Sequence, residues 1–109
     1  MKRAATLALA ALVTVVVGAG LAVAQGRAAR VEQGGPVFVD SGCHGCHTVG
    51  KLGTPIGPDL SHLGSKYAPD YLERWLRDPL EVRPNAHMPQ LELAENQVLA
   101  LAAYLSSLR

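Results

Sequence analysis

The sequence predicts an all-α domain with long loops, and three observations predict it. An apolar stripe recurs at helical spacing near the C-terminus, glycine and proline break the middle of the chain into loops, and no stretch alternates apolar with polar residues as a strand would. The clearest element is the last. Val98, Leu101, Ala102, Leu105 and Leu108 fall on one helical face, with Glu92 and Glu95 near the start and Arg109 at the end, the charge order that a helix dipole favours.

A second helix is expected over Asp70 to Asp78, where Tyr71, Leu72, Trp75 and Leu76 share a face, Pro69 lies just outside and Pro79 stops it. A first, shorter one is expected from Pro36 to about Cys46, with the proline in its opening turn and Phe38 directed inward. From Thr48 to Lys66 the glycines and prolines describe loop wrapped around something. Pro84 and Pro89 make Leu80 to Leu91 loop as well.

Ahead of the domain, Lys2 and Arg3 precede an uncharged, Ala-, Val- and Leu-rich run from Ala4 to Ala24 that closes on Ala22-Val23-Ala24. A basic start, an apolar middle and small residues at the end are the layout of a secretory signal. An uncleaved membrane anchor is the alternative, since roughly 20 apolar residues span a bilayer. Residues 1–24 are therefore read as a signal peptide or anchor, with membrane contact through residues 4–24 if the leader is retained. Residues 25–35, which lack apolar periodicity, are read as a tether, and residues 36–109 as the domain. The rest of the chain is expected to be exported, in the periplasm or on the outer face of the cytoplasmic membrane.

Beyond Ala24 the chain carries eight Lys or Arg against nine Asp or Glu. That balance gives no reason to expect nucleic acid as a partner, which would call for a basic patch or stripe. A domain this small buries too little apolar surface to be comfortably stable without a disulfide, a metal or another staple.

The staple is sought at Cys43-His44-Gly45-Cys46-His47, the pattern that attaches c-type haem. Residues three apart on a helical turn point the same way, so both sulfurs reach one edge of a porphyrin. The histidine after the second cysteine then ligates the iron. A thioredoxin-like pair would want a βαβ setting, a zinc site a second ligand pair, and a plain disulfide leaves His47 without a role. For the sixth ligand the candidate is Met88, in the Pro-flanked loop Asn85-Ala86-His87-Met88-Pro89, with His87 its rival.

Taken together, these residues resemble a class I c-type cytochrome of the short bacterial kind over nearly all of residues 36–109. Phe38 before Gly42-Cys43 is similar to the aromatic residue of that family's first helix. Ala103-Tyr104-Leu105 resembles the end of its last helix, which crosses the first. Gly57-Pro58-Asp59-Leu60 resembles the loop whose proline carbonyl accepts the hydrogen bond of the ligating imidazole, and His87-Met88-Pro89 the loop delivering the sixth ligand. The resemblance implies three or more short helices and long loops around one covalent haem c, bound through Cys43, Cys46, His47, Pro58 and Met88, with His47 and Met88 on the iron.

The implied function is single-electron transfer between redox proteins of a respiratory chain, without catalysis by the chain itself. One alternative is a haem c subunit held permanently on an oxidase, nitric oxide reductase or sulfite dehydrogenase, and another a haem sensor or peroxidase-like enzyme. Trp75 and Tyr67 are placed either on the haem propionates or in the core, and Arg83 either near the propionates or in solvent. His44 and His62 are assigned to the surface. Lys51, with Val49, Leu52, Pro55 and Ile56, either frames a haem edge where a partner docks or belongs to ordinary loop and core.

Overall fold

A computed structural model describes residues 1–109. Its elements are α1 (Lys2–Asp40), a two-residue hairpin of β1 (Thr48–Val49) and β2 (Leu52–Gly53), α2 (Pro69–Arg77), α3 (Pro79–Val82) and α4 (Glu95–Ser107), with 3₁₀ turns at Cys43–Gly45 and Leu63–Ser65. The domain is all-α with long loops, as expected; its only sheet is the antiparallel β1–β2 pair, in register Thr48 with Gly53 and Val49 with Leu52.

The largest departure from expectation is at the N-terminal side. Residues 25–35 are not a tether but the middle of α1, which runs unbroken from the apolar run into the domain. They include good helix formers (Arg27, Ala28, Ala29, Arg30), and their lack of apolar periodicity reflects solvent on most sides rather than loop. Pro36 lies inside the helix rather than at its first turn, and the hydrogen bond it forfeits is offset by packing on either side of it. Gly34 and Phe38, four residues apart on one face, are both buried.

That face meets α4. A Cβ on Gly34 would stand 2.2 Å from the Ala100 carbonyl oxygen and 2.4 Å from the Tyr104 Cβ, so only glycine lets the two helices come this close. Phe38, 1% exposed, lies with its ring centroid 5.6 Å from that of Tyr104. The crossing of first and last helices is thus present. Around it gather Leu60, Leu72, Leu76, Val98, Leu101, Ala102 and Leu105, one small core to which α2 contributes its buried Leu72 and Leu76.

Loop chemistry sets the remaining boundaries. α1 ends at Asp40 rather than near Cys46, because Gly42 takes the left-handed conformation at φ 73° and breaks the helix before the cysteines. Asp78 is extended, as a residue before proline must be, and stops α2. Its carboxylate then accepts the amides of Leu80 and Glu81 at 3.0 and 3.4 Å, and Pro79 opens α3 in a region read as loop. Gln97 Oε1 accepts the Ala94 amide at 2.9 Å and closes the start of α4. Arg77 bridges Glu73 and Glu95, tying the end of α2 to the start of α4 and holding the Glu95 carboxyl below the ordinary carboxylate range.

The Gly34 contact is testable. Gly34→Val is expected to lower stability by about 1–3 kcal/mol, the usual cost of overpacking, read as an earlier thermal transition in the helical circular dichroism. An unchanged midpoint would mean that α1 and α4 do not meet at this point.

Candidate functional site

The motif sits on the 3₁₀ turn that Gly42 sets up. Backbone bonds from the amides of Cys46 and His47, at 3.2 and 2.9 Å, both return to the Cys43 carbonyl. Residues three apart eclipse on a regular turn of this kind, the spacing that suits two sulfurs meeting one edge of a porphyrin. Both thiols are free. Burial pushes the Cys43 thiol up, opposite to the lowered value that thiol–disulfide catalysis needs.

His47 is the best-defined side chain of the site. Its Nδ1 donates to the Pro58 carbonyl at 2.8 Å, which places the proton on Nδ1 and leaves Nε2 with a free lone pair. The ring lies against the backbone of Gly57, where a Cβ would be 2.6 Å from the imidazole Cε1 and 2.9 Å from Nδ1. Gly53, at φ 105°, passes the other part of the turn, where a Cβ would meet the His47 carbonyl oxygen at 2.0 Å. Two glycines therefore make room for one histidine, and no periodicity in the sequence marks them for that task.

The Pro58 loop is pinned in turn. Asp59 Oδ1 accepts from the Ser61 amide and hydroxyl at 3.0 and 2.6 Å, and the Ser61 oxygen accepts the Gly50 amide at 2.7 Å. The Ser61 bonds hold the Asp59 carboxyl below the usual carboxylate range. A group so depressed contributes stability above the ordinary aspartate range and loses it as pH falls through its own lowered value, so acid loosens this loop.

Met88 is half-buried and packs against the apolar cluster, whereas its neighbour His87 is exposed. The Trp75 indole N–H points to the Met88 sulfur, Nε1 to Sδ 3.1 Å. That contact occupies the only indole donor of the chain. Trp75 also ends a stack along one face of α2: Tyr67 on Tyr71 with centroids 4.6 Å apart, and Tyr71 on Trp75 at 6.4 Å. The Arg83 guanidinium lies 6.0 Å from the Trp75 ring centroid.

His62 is exposed as expected, whereas His44 is half-buried. Its ring meets Phe38 edge to face at 4.7 Å, and its Nδ1 is buried without a partner. Phe38 and Gly53 enclose it from either side, a consequence of the turn that its own sequence position does not reveal. Lys51, Leu52, Pro55 and Ile56 are exposed and Val49 half-buried, an apolar rim beside the motif.

The donor set fits a covalent haem. Two free thiols stand three residues apart at a turn, an imidazole has its tautomer settled by a carbonyl, and a thioether is met by an indole. Cys43 and Met88 border the same core. Cys43 and Cys46 could form the thioether links, and His47 and Met88 are the residues whose donor atoms suit the iron.

The class defined by this fold and site is a haem-based carrier of single electrons. Residues 31–109 match the Cytochrome c family, and the chain belongs to it. The match begins inside the segment read as a tether, in agreement with the helix found there. The protein accordingly binds haem c, with its iron, covalently. A curated relative, cytochrome c oxidase subunit 2 of Alkalihalophilus pseudofirmus, is 34% identical over 102 residues, covering 78% of this chain. The chain spans 30% of that relative's length.

Gly57→Ala tests the seat of the imidazole. The added methyl is expected to break the His47–Pro58 bond, seen as loss of a slowly exchanging downfield Nδ1 proton in the nuclear magnetic resonance spectrum of the reduced protein. A retained signal would show that the ring does not rest on Gly57.

Proposed function

We propose that this chain is an exported monohaem c-type cytochrome that passes single electrons between respiratory redox partners, its iron ligated by His47 and Met88. What carries the reading is a pair of commitments: the His47 imidazole is bonded at Nδ1 to Pro58, and the Met88 sulfur is met by Trp75. Each side chain is held by its own second partner and keeps a lone pair for a metal.

The bound haem supplies an iron that alternates between ferric and ferrous by one electron. The chain's residues keep that exchange cheap. Cys43 and Cys46 fix the position covalently, and the Pro58 carbonyl orients His47 and raises its basicity. Met88, a soft thioether, favours the reduced state, so a His/Met pair raises the potential. Trp75 limits the freedom of the sulfur. If His47 and Met88 both hold the iron, the chain would leave no place on it for oxygen or peroxide, which would count against a sensor or peroxidase-like role.

A second reading, a haem c subunit held in the membrane for an oxidase, is favoured by two observations. The apolar stretch of α1 is long enough to cross a bilayer and continues into the domain without a break, although a signal sequence meets the same criterion. The relative is named as an oxidase subunit. Intact mass and co-purification from the native host separate the readings: a cleaved leader and no partner favour the free carrier, a retained leader with a co-purifying complex the subunit.

Met88→Ala is expected to give a coloured protein with an open or substituted sixth position and a markedly lower potential. The ferric near-red absorption that the family resemblance implies for methionine ligation should vanish. Its persistence would assign the ligand elsewhere.

A further inference from the structure

Where α1 emerges from its apolar run, the domain sets a cationic groove beside it. Arg27 on α1, Lys66 before α2 and Arg109 beyond α4 line one groove of about 590 Å³, together with Tyr67 and Ser106. No Asp or Glu side chain lines it. All three cations are exposed, and the ion pairs of the chain are those of Arg77, so none of the three has a carboxylate partner. An adjoining groove shares Arg27 and adds Arg30. Its one acid, Glu73, lies 3.5 Å from Arg77.

Depth decides what this groove meets. Arg27 follows Ala24 by about 4.5 Å of helix axis and Arg30 by about 9 Å, at 1.5 Å per residue. The polar headgroup layer on each side of a bilayer is roughly 5–8 Å thick. If the apolar run is in the membrane, the first cations beyond it lie at phosphate level, and the groove carrying Lys66 and Arg109 is brought there with them. The continuous helix leaves no slack to lift the domain away.

We infer that this groove binds the phosphate of anionic phospholipid headgroups, seating the domain on the membrane surface through Arg27, Lys66 and Arg109. The inference rests on the anchored reading of residues 4–24. Lysine and arginine at this depth attract anionic lipid, and the interaction weakens with salt. Function follows from placement, because a domain seated on the bilayer presents one constant side to membrane-bound partners.

The test uses the full haem-loaded chain in nanodiscs of equal phosphatidylglycerol and phosphatidylcholine. Lipids retained on release are weighed by native mass spectrometry, and amide exchange is followed over residues 64–69 and 106–109. Several-fold preferential retention of phosphatidylglycerol is expected, with slowed exchange in both segments. Both effects should be lost in the Arg27→Gln, Lys66→Gln, Arg109→Gln variant while its visible spectrum is unchanged. Equal retention of the two lipids, or a preference that survives the triple substitution, would overturn the inference. So would millimolar inorganic phosphate abolishing the preference, which would mark a site for free phosphate.

The same mass reports whether residues 1–24 remain on protein from its own host, so failure of the anchor is seen separately. A leaderless mature form that sediments with phosphatidylglycerol vesicles would uphold the groove without the span. One that stays in solution would sink both.

Discussion

The hydrogen bond from the His47 imidazole to the Pro58 carbonyl is the contact on which the rest of the site depends. It joins the cysteine turn to the loop that follows, settles which nitrogen carries the proton, and leaves the other free. Everything near it makes that one bond possible: Gly42 turns the chain out of α1, Gly57 gives the ring a surface to lie on, and Asp59 with Ser61 holds the loop that bears Pro58. A neutral donor–acceptor bond of this kind contributes only about 1 kcal/mol to stability. Its larger effect is on orientation, because an imidazole already placed would have little to rearrange if it held the iron when an electron arrives.

The core around this site is small. Eleven of 109 residues are buried, and the eight that form the apolar cluster are bordered by Cys43 and Met88. A haem joined through both cysteines extends such an interior and staples it, which accounts for a domain this size folding at all. The close crossing of α1 on α4 at Gly34 supplies the other fixed point. Because α1 is also the apolar helix, the position of the site relative to any membrane is set by the same crossing.

Those features with a local signature could be read from the sequence. The cysteine–histidine motif has its spacing, α4 its stripe and α2 its flanking prolines. Less legible was whatever depends on a partner distant in sequence. Residues 25–35 look like loop because their one buried position, Gly34, is a glycine, and its role appears only when Ala100 and Tyr104 are beside it. The sequence carries the first helix on to Cys46, whereas Gly42 in its left-handed conformation ends it at Asp40, and α3 is a single turn marked only by the Asp78 cap. For Trp75 the sequence leaves propionate or core open; its indole N–H is directed at the Met88 sulfur, a pairing across thirteen residues that no period announces.

Covalent attachment is the claim that the whole account needs, and acidified acetone tests it most directly. Non-covalent haem is extracted by this solvent, whereas haem held by thioether bonds stays with the precipitated chain. The purified protein is predicted to precipitate red with a colourless supernatant, its mass raised by one haem. Colour passing entirely into the acetone, or a colourless chain matured in cells competent for haem ligation, would contradict it.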